Sequence, residues 1–192
     1  DKKLLTIMTK VSYFSRAYLL DLKHNNYEII FITEPEEVKL DKIDIEILKL
    51  LATNARISII ELAKRLNITQ KTIISKIRTL EKKEIIIGYK TVFDLEKLGY
   101  HYFKVNFQLH NVTLSKIQLF RNHIKEQPNV IYNDEVLGGD NLEIEIQVQN
   151  IGELRKIIEG IKTKFGDMIK EYKIMEFYKE HKYLFLPVSI KI

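Results

Sequence analysis

In "RISIIELAKRLNITQKTIISKIRTLEKKEIIIGYK", Arg56 to Lys90, two short amphipathic runs sit either side of "NIT". Ser58 stands three residues before Glu61, the spacing at which a hydroxyl and a carboxylate each satisfy an amide at the other's position, so a helix is expected to open after Ser58. "NIT", Asn67 to Thr69, has room only for a tight turn, and Thr69 is placed to cap a further helix over "QKTIISKIRTLEKKE". Upstream, Asp41 precedes Ile43, Ile47, Leu50 and Leu51 at helical spacing, which predicts an earlier helix. Two helices joined by three residues, behind a first one, make a helix-turn-helix. Beyond them "EIIIGYKTVFDL" alternates around Gly88 and is expected to form two short strands, the wing of a winged helix-turn-helix.

At about 100° per residue, Ile73, Ile74, Ile77 and Leu80 gather on one side of the third helix. The other side then carries Lys71, Thr72, Ser75, Arg78, Thr79 and Lys82. Small hydroxyls suit base edges and cations suit phosphates, so this face is expected to meet double-stranded DNA, with Lys90 reaching the backbone from the wing. Charge agrees. Residues 41–90 hold eleven Lys and Arg against six Asp and Glu, an excess of five, whereas the rest of the chain balances at twenty of each. The whole positive excess of this 192-residue protein therefore lies in the segment that would face a polyanion.

Composition excludes several other classes. With 45% hydrophobic residues the chain can fill real cores, no apolar run is long enough to span a bilayer, and the start lacks a secretory apolar stretch, so a cytoplasmic protein without a membrane partner is expected. The absence of cysteine removes disulfides, thiolate metal sites and a thiol nucleophile. The five histidines show no metal-ligand spacing, Gly138-Gly139 lacks the Lys and Ser/Thr of a phosphate loop, and no Ser-His-Asp set stands on a nucleophile turn. Neither an enzyme, a metal nor a cofactor is expected.

From Gly99 the period changes to two. "HYFKVNFQL" turns His101, Phe103, Val105, Phe107 and Leu109 to one face; a helical stripe of Leu114, Ile117, Phe120 and Ile124 follows. An irregular strand, "NVIYNDEVLGG", precedes the near-ideal alternation of "NLEIEIQVQN". A second helix, with Leu154, Ile157, Ile158, Ile161 and Phe165 on one face, leads to a long closing strand, "MIKEYKIMEFYKEHKYLFL". The order βαββαβ is ferredoxin-like, so the fold class is α+β. Glu143, Glu145, Gln147 and Gln149 occupy the outward positions of the third strand. That row repels phosphates and offers no rings to stack, which argues against RNA binding through the sheet and suits contact with a partner subunit or solvent.

These residues resemble the Lrp/AsnC (feast/famine) regulators. The pattern comprises L-D-x-x-D at Leu40–Asp44, N-A-R-I-S at Asn54–Ser58, E-L-A at Glu61–Ala63, R-x-L-E at Arg78–Glu81 and I-x-G-Y at Ile86–Tyr89, and it continues through "LGYHYFKV" to about residue 187. The resemblance implies a transcription regulator that dimerises through its ferredoxin-like sheets, assembles further, and senses an amino acid or other small molecule between subunits. A module that senses a small molecule and acts through a protein partner is the alternative, one that would not need the cations of the third helix. The family's glycine, separated by two intervening residues from an aspartate, is matched by Gly138 and Asn141, with Asp140 one place early. An uncharged Asn141 favours an ammonium group less, so free amino acids are expected to bind weakly.

Three divisions follow: an N-terminal β arm and linker at 1–37, the winged helix-turn-helix at 38–93, and the ferredoxin-like effector and dimerisation domain at 94–192. The arm reads as two strands, Leu4–Leu20 and Tyr27–Thr33. Ile7-Met8 echoes Ile174-Met175, so the arm is expected to be the end of a preceding related domain and to add to a sheet edge of the C-terminal domain or of a partner copy; the alternative is a family-specific extension packed on its own wing.

Overall fold

The computed structural model describes residues 7–25, 27–32, 38–138, 142–181 and 186. They fall into two compact units, one combining Asp94–Lys179 with the N-terminal strands and the other combining Glu36–Phe93 with the residues from 180 onward. No described helix is long and apolar enough to cross a membrane.

In the helical unit, α1 (Lys42–Thr53) opens on a reciprocal cap between Asp41 and Asp44. Ser58 caps α2 (Ile59–Leu66) by accepting from the Glu61 amide, but the expected return bond is absent. The Glu61 carboxylate instead accepts from Arg65 Nε at 2.7 Å, one helical turn on, where a guanidinium is the stronger donor. Asn67 ends α2 in the left-handed conformation, at φ 52°, a position asparagine tolerates better than other side chains. Thr69 then caps α3 (Gln70–Lys82) by accepting from the Thr72 amide. Ile47 and Leu48, Leu62 and Ala63, and Ile73 and Leu80 meet in the core of this unit, with Leu186 packed against them.

The expected wing strands are not formed: the described chain from 83 to 100 contains no strand. Ile85 and Ile86 both donate their amides to the Leu80 carbonyl, and both pack on the helical core. Backbone groups committed to the end of α3 are lost to a ladder, and a short two-stranded hairpin has little stability of its own.

The second unit contains β3 (His101–Leu109), α4 (Leu114–Glu126), β4 (Val130–Leu137), β5 (Leu142–Val148), α5 (Ile151–Phe165) and β6 (Ile169–Glu176). The closing strand is shorter than expected, because its ladder with β3 ends at the Phe177 amide on the Tyr102 carbonyl. The N-terminal residues add β1 (Ile7–Phe14) and β2 (Glu28–Ile32), giving a six-stranded sheet in the order β2-β1-β4-β5-β3-β6. Its last four strands have the ferredoxin-like order. β1 pairs antiparallel with β4 of the same chain, so the edge that a four-stranded sheet would expose is covered. Ile7-Met8 opens β1 whereas Ile174-Met175 lies near the end of β6, so the two similar pairs hold different places in the sheet.

Phe103, Val105 and Phe107 of β3, the alternate Leu142–Val148 residues of β5, and Phe120, Ile124, Leu154, Ile158, Ile161 and Phe165 of the helices fill one core. His101, expected inside, is exposed and bonded to Glu176. Phe14 of β1 enters this core at 1% exposure, a burial that stabilises by roughly 2 kcal/mol. Asn25 secures the loop after β1, its amide donating to the carbonyls of Lys125, Gln127 and Val130 at 2.8–3.2 Å.

The helices cover only this side of the sheet. On its other face, the row expected to meet solvent or a partner subunit is partly closed off by this chain itself: Glu143 is 6% exposed and Gln147 fully buried. Lys104 pairs with Glu143, Tyr102 donates to Glu145, and Arg16 and Tyr18 from the loop after β1 donate to Gln147. Asp134 stands across from Glu143. Burial, then the negative charges of Glu145 and Glu143, push its carboxyl up to about 7 against the pull of Lys104. A carboxyl raised in the folded state stabilises while protonated and loses that contribution as pH rises from the unfolded value of about 4 to about 7. The stability gain of Asp134→Asn over the parent should therefore grow across that window and level off above it in thermal unfolding; a difference independent of pH would contradict this.

Candidate nucleic-acid interface

The α3 helix is fixed by what its buried side touches. Ile73 and Leu80 are buried in the helical core, and Ile77 packs beside them. Lys76, on the flank, donates to Asp41 at 2.6 Å and to Asp44 at 2.9 Å. Burial alone would lower the Lys76 ammonium, but the two carboxylates outweigh it and hold it above the usual lysine range. The Lys76 bond, followed by the Asp44 amide, holds Asp41 below the usual carboxylate range. These same carboxylates form the α1 cap, so one cation ties the start of α1 to the middle of α3.

The opposite side is open. Lys71, Ser75, Arg78, Thr79 and Lys82 are exposed and, with Ile74, line a shallow groove of about 570 Å³. Among the described residues no carboxylate pairs with Lys71, Arg78 or Lys82, whereas Lys49, Arg65 and Lys76 are all neutralised locally. Thr79 donates to the Ser75 carbonyl at 2.9 Å, leaving its oxygen free to accept. The structure thus gathers five of the seven expected DNA-facing residues. Thr72 lies apart, half-buried, its hydroxyl 2.9 Å from that of Thr69 at the helix start. Lys90 lies outside the groove, half-buried and already engaged.

One groove residue departs from the expected pattern. Ile74 was to join the core stripe but is 38% exposed. On the helical wheel it stands about 100° from Ile73, while Ile77 and Leu80 lie within about 40° of it, so three residues already complete the buried face.

Of the expected effector residues, Gly138 is exposed with φ 80°, and Asp140 and Asn141 lie outside the described residues. Among the described residues no His, Cys, Asp or Glu cluster has metal-binding geometry.

A short-turn helix pair with one tied and one open face defines a helix-turn-helix DNA-binding protein. Residues 40–87 match the model for winged helix-turn-helix DNA-binding domains. An HTH-type transcriptional regulator of Pyrococcus abyssi is 33% identical over 141 residues, 72% of this chain and 90% of that protein. Among solved structures, a transcriptional regulatory protein of Pyrococcus furiosus that is a member of the AsnC family has 25% identity and a TM-score of 0.61, over 75% of this chain and 93% of that one. A transcriptional regulator from Neisseria meningitidis, in complex with L-Met, has a TM-score of 0.70 at 18% identity, over 79% and 98%. The chain belongs to the Lrp/AsnC family of helix-turn-helix transcription regulators, and its function is DNA-binding regulation of transcription.

Proposed function

We propose that α3 enters the major groove of a specific DNA site, Lys71, Ser75 and Thr79 meeting base edges while Arg78 and Lys82 hold phosphates, with Thr72 and Lys90 as outlying contacts. The observation that carries this is the division of cations on α3: Lys76 is ion-paired to α1, and Lys71, Arg78 and Lys82 are gathered, unpaired among the described residues, around one groove. Residues 38–93 then read DNA, and residues 94–179 with the N-terminal strands assemble the regulator and receive its effector, in the cytoplasm and without catalysis. Lys82→Ala should weaken all sequences alike and lower the dependence of log affinity on log salt by about one unit. If Lys71, Arg78 and Lys82 are replaced together by alanine and affinity at low salt is unchanged, the assignment is wrong.

The working form is a homodimer or higher homo-oligomer built on the sheet face that the helices leave uncovered. Its support is a band of large side chains there, Phe31, Tyr13, Tyr132, Tyr102, Met175 and Phe177, interrupted by the Lys104–Glu143 pair. Two subunits supply two recognition helices for a nearly palindromic site. Light scattering at micromolar concentration should return at least twice the chain mass; a stable monomer would contradict it.

The segment Gly138–Asn141 is the proposed effector site. A solved relative holds L-Met, which supports an amino acid as the ligand class, and the uncharged Asn141 supports weak binding. Calorimetric titration with L-methionine and the other standard amino acids should show millimolar affinity at best, and a micromolar complex lost in Asn141→Ala would overturn the reading.

A further inference from the structure

We infer that Ile74 reads sequence by contact with the C5-methyl group of a thymine, one in each half-site; the inference rests on α3 lying in the major groove. Ile73 is fully buried while its neighbour Ile74 is 38% exposed, the only apolar side chain among the described residues that line a groove shared with Lys71, Ser75, Arg78, Thr79 and Lys82. Lys71 precedes it by three residues and Arg78 follows by four, so the three share one row along the helix, with Ser75 beside it. At one end of that row Lys71 meets a base edge and at the other Arg78 reaches a phosphate on the groove wall, both unpaired among the described residues, which leaves Ile74 between them over the floor beside Ser75. The floor of the major groove presents donors, acceptors and one apolar group, the thymine methyl. Isoleucine has no atom that donates or accepts, so the methyl is what it can recognise. Core packing does not account for its position, because Ile73, Ile77 and Leu80 already close the buried side of α3.

The test uses the full chain and a site chosen by selecting bound fragments from a genomic library. Each thymine in the site is replaced in turn by deoxyuridine, which removes only the methyl. The parent should lose about fourfold in affinity at one thymine of each half-site. In Ile74→Ala that loss should disappear while the salt dependence stays as in the parent, since no phosphate contact is touched. Circular dichroism confirms that the variant folds. Should it not, Ile74→Val keeps a branched side chain in place and should reduce the deoxyuridine penalty by about half. An identical penalty in parent and folded variant, or no responsive thymine in the parent, would overturn the inference while leaving DNA binding intact. A parent that retains no DNA at low salt would remove the DNA-reading assignment with it.

Discussion

Everything about the proposed DNA-reading face depends on a three-residue turn. Asn67, Ile68 and Thr69 separate α2 from α3, with Asn67 in the left-handed conformation and Thr69 already serving as the next cap. So short a connection leaves α3 little freedom of angle, and the buried Ile73 and Leu80 set its rotation. Lys76 then locks the helix from the side through Asp41 and Asp44. Once the turn, the core and this ion pair are in place, Lys71, Ile74, Ser75, Arg78 and Lys82 face outward together. The proposed role of this amphipathic helix as a reading head rests on that division: one flank commits its cation to structure, and the other keeps its cations available for a polyanion.

Much of this was legible in the sequence because it is local. Caps at Asp41, Ser58 and Thr69 act within three residues of themselves, and the alternation of Phe103, Val105 and Phe107 or Leu142, Ile144 and Ile146 reports a single buried face. The misreadings arise where a competing partner, near or distant in the chain, takes a group that the local pattern assigns elsewhere. Glu61 chose Arg65 over the backbone of Ser58, and Ile85 and Ile86 gave their amides to Leu80 rather than to a wing strand. Glu143 and Gln147 looked solvated by periodicity, but Lys104, Arg16 and Tyr18 close over them from elsewhere in the chain. Ile74 lies at the limit of the apolar arc, about 100° from Ile73, and its apolar side chain alone does not distinguish a core position from an exposed one.

The N-terminal strands give the sheet a shape that the ferredoxin-like order alone does not predict. Covering the β4 edge removes one open ladder, and Phe14 and Asn25 bind the addition to the core and to the α4–β4 connection. The same segment supplies Arg16 and Tyr18 to the uncovered face, so the arm completes the polar cluster as well as the edge. That cluster brings Asp134, Glu143, Glu145 and Lys104 together on the face proposed for self-association, where ionic and aromatic groups lie side by side.

The most direct measurement is methylation interference on a selected DNA site bound by the full chain. With α3 in the major groove, methylation at guanine N7 should block binding in two clusters centred about ten base pairs or a multiple of that apart. Interference confined to adenine N3 in the minor groove, or absent at guanine N7 throughout the protected region, would contradict the docking of this helix.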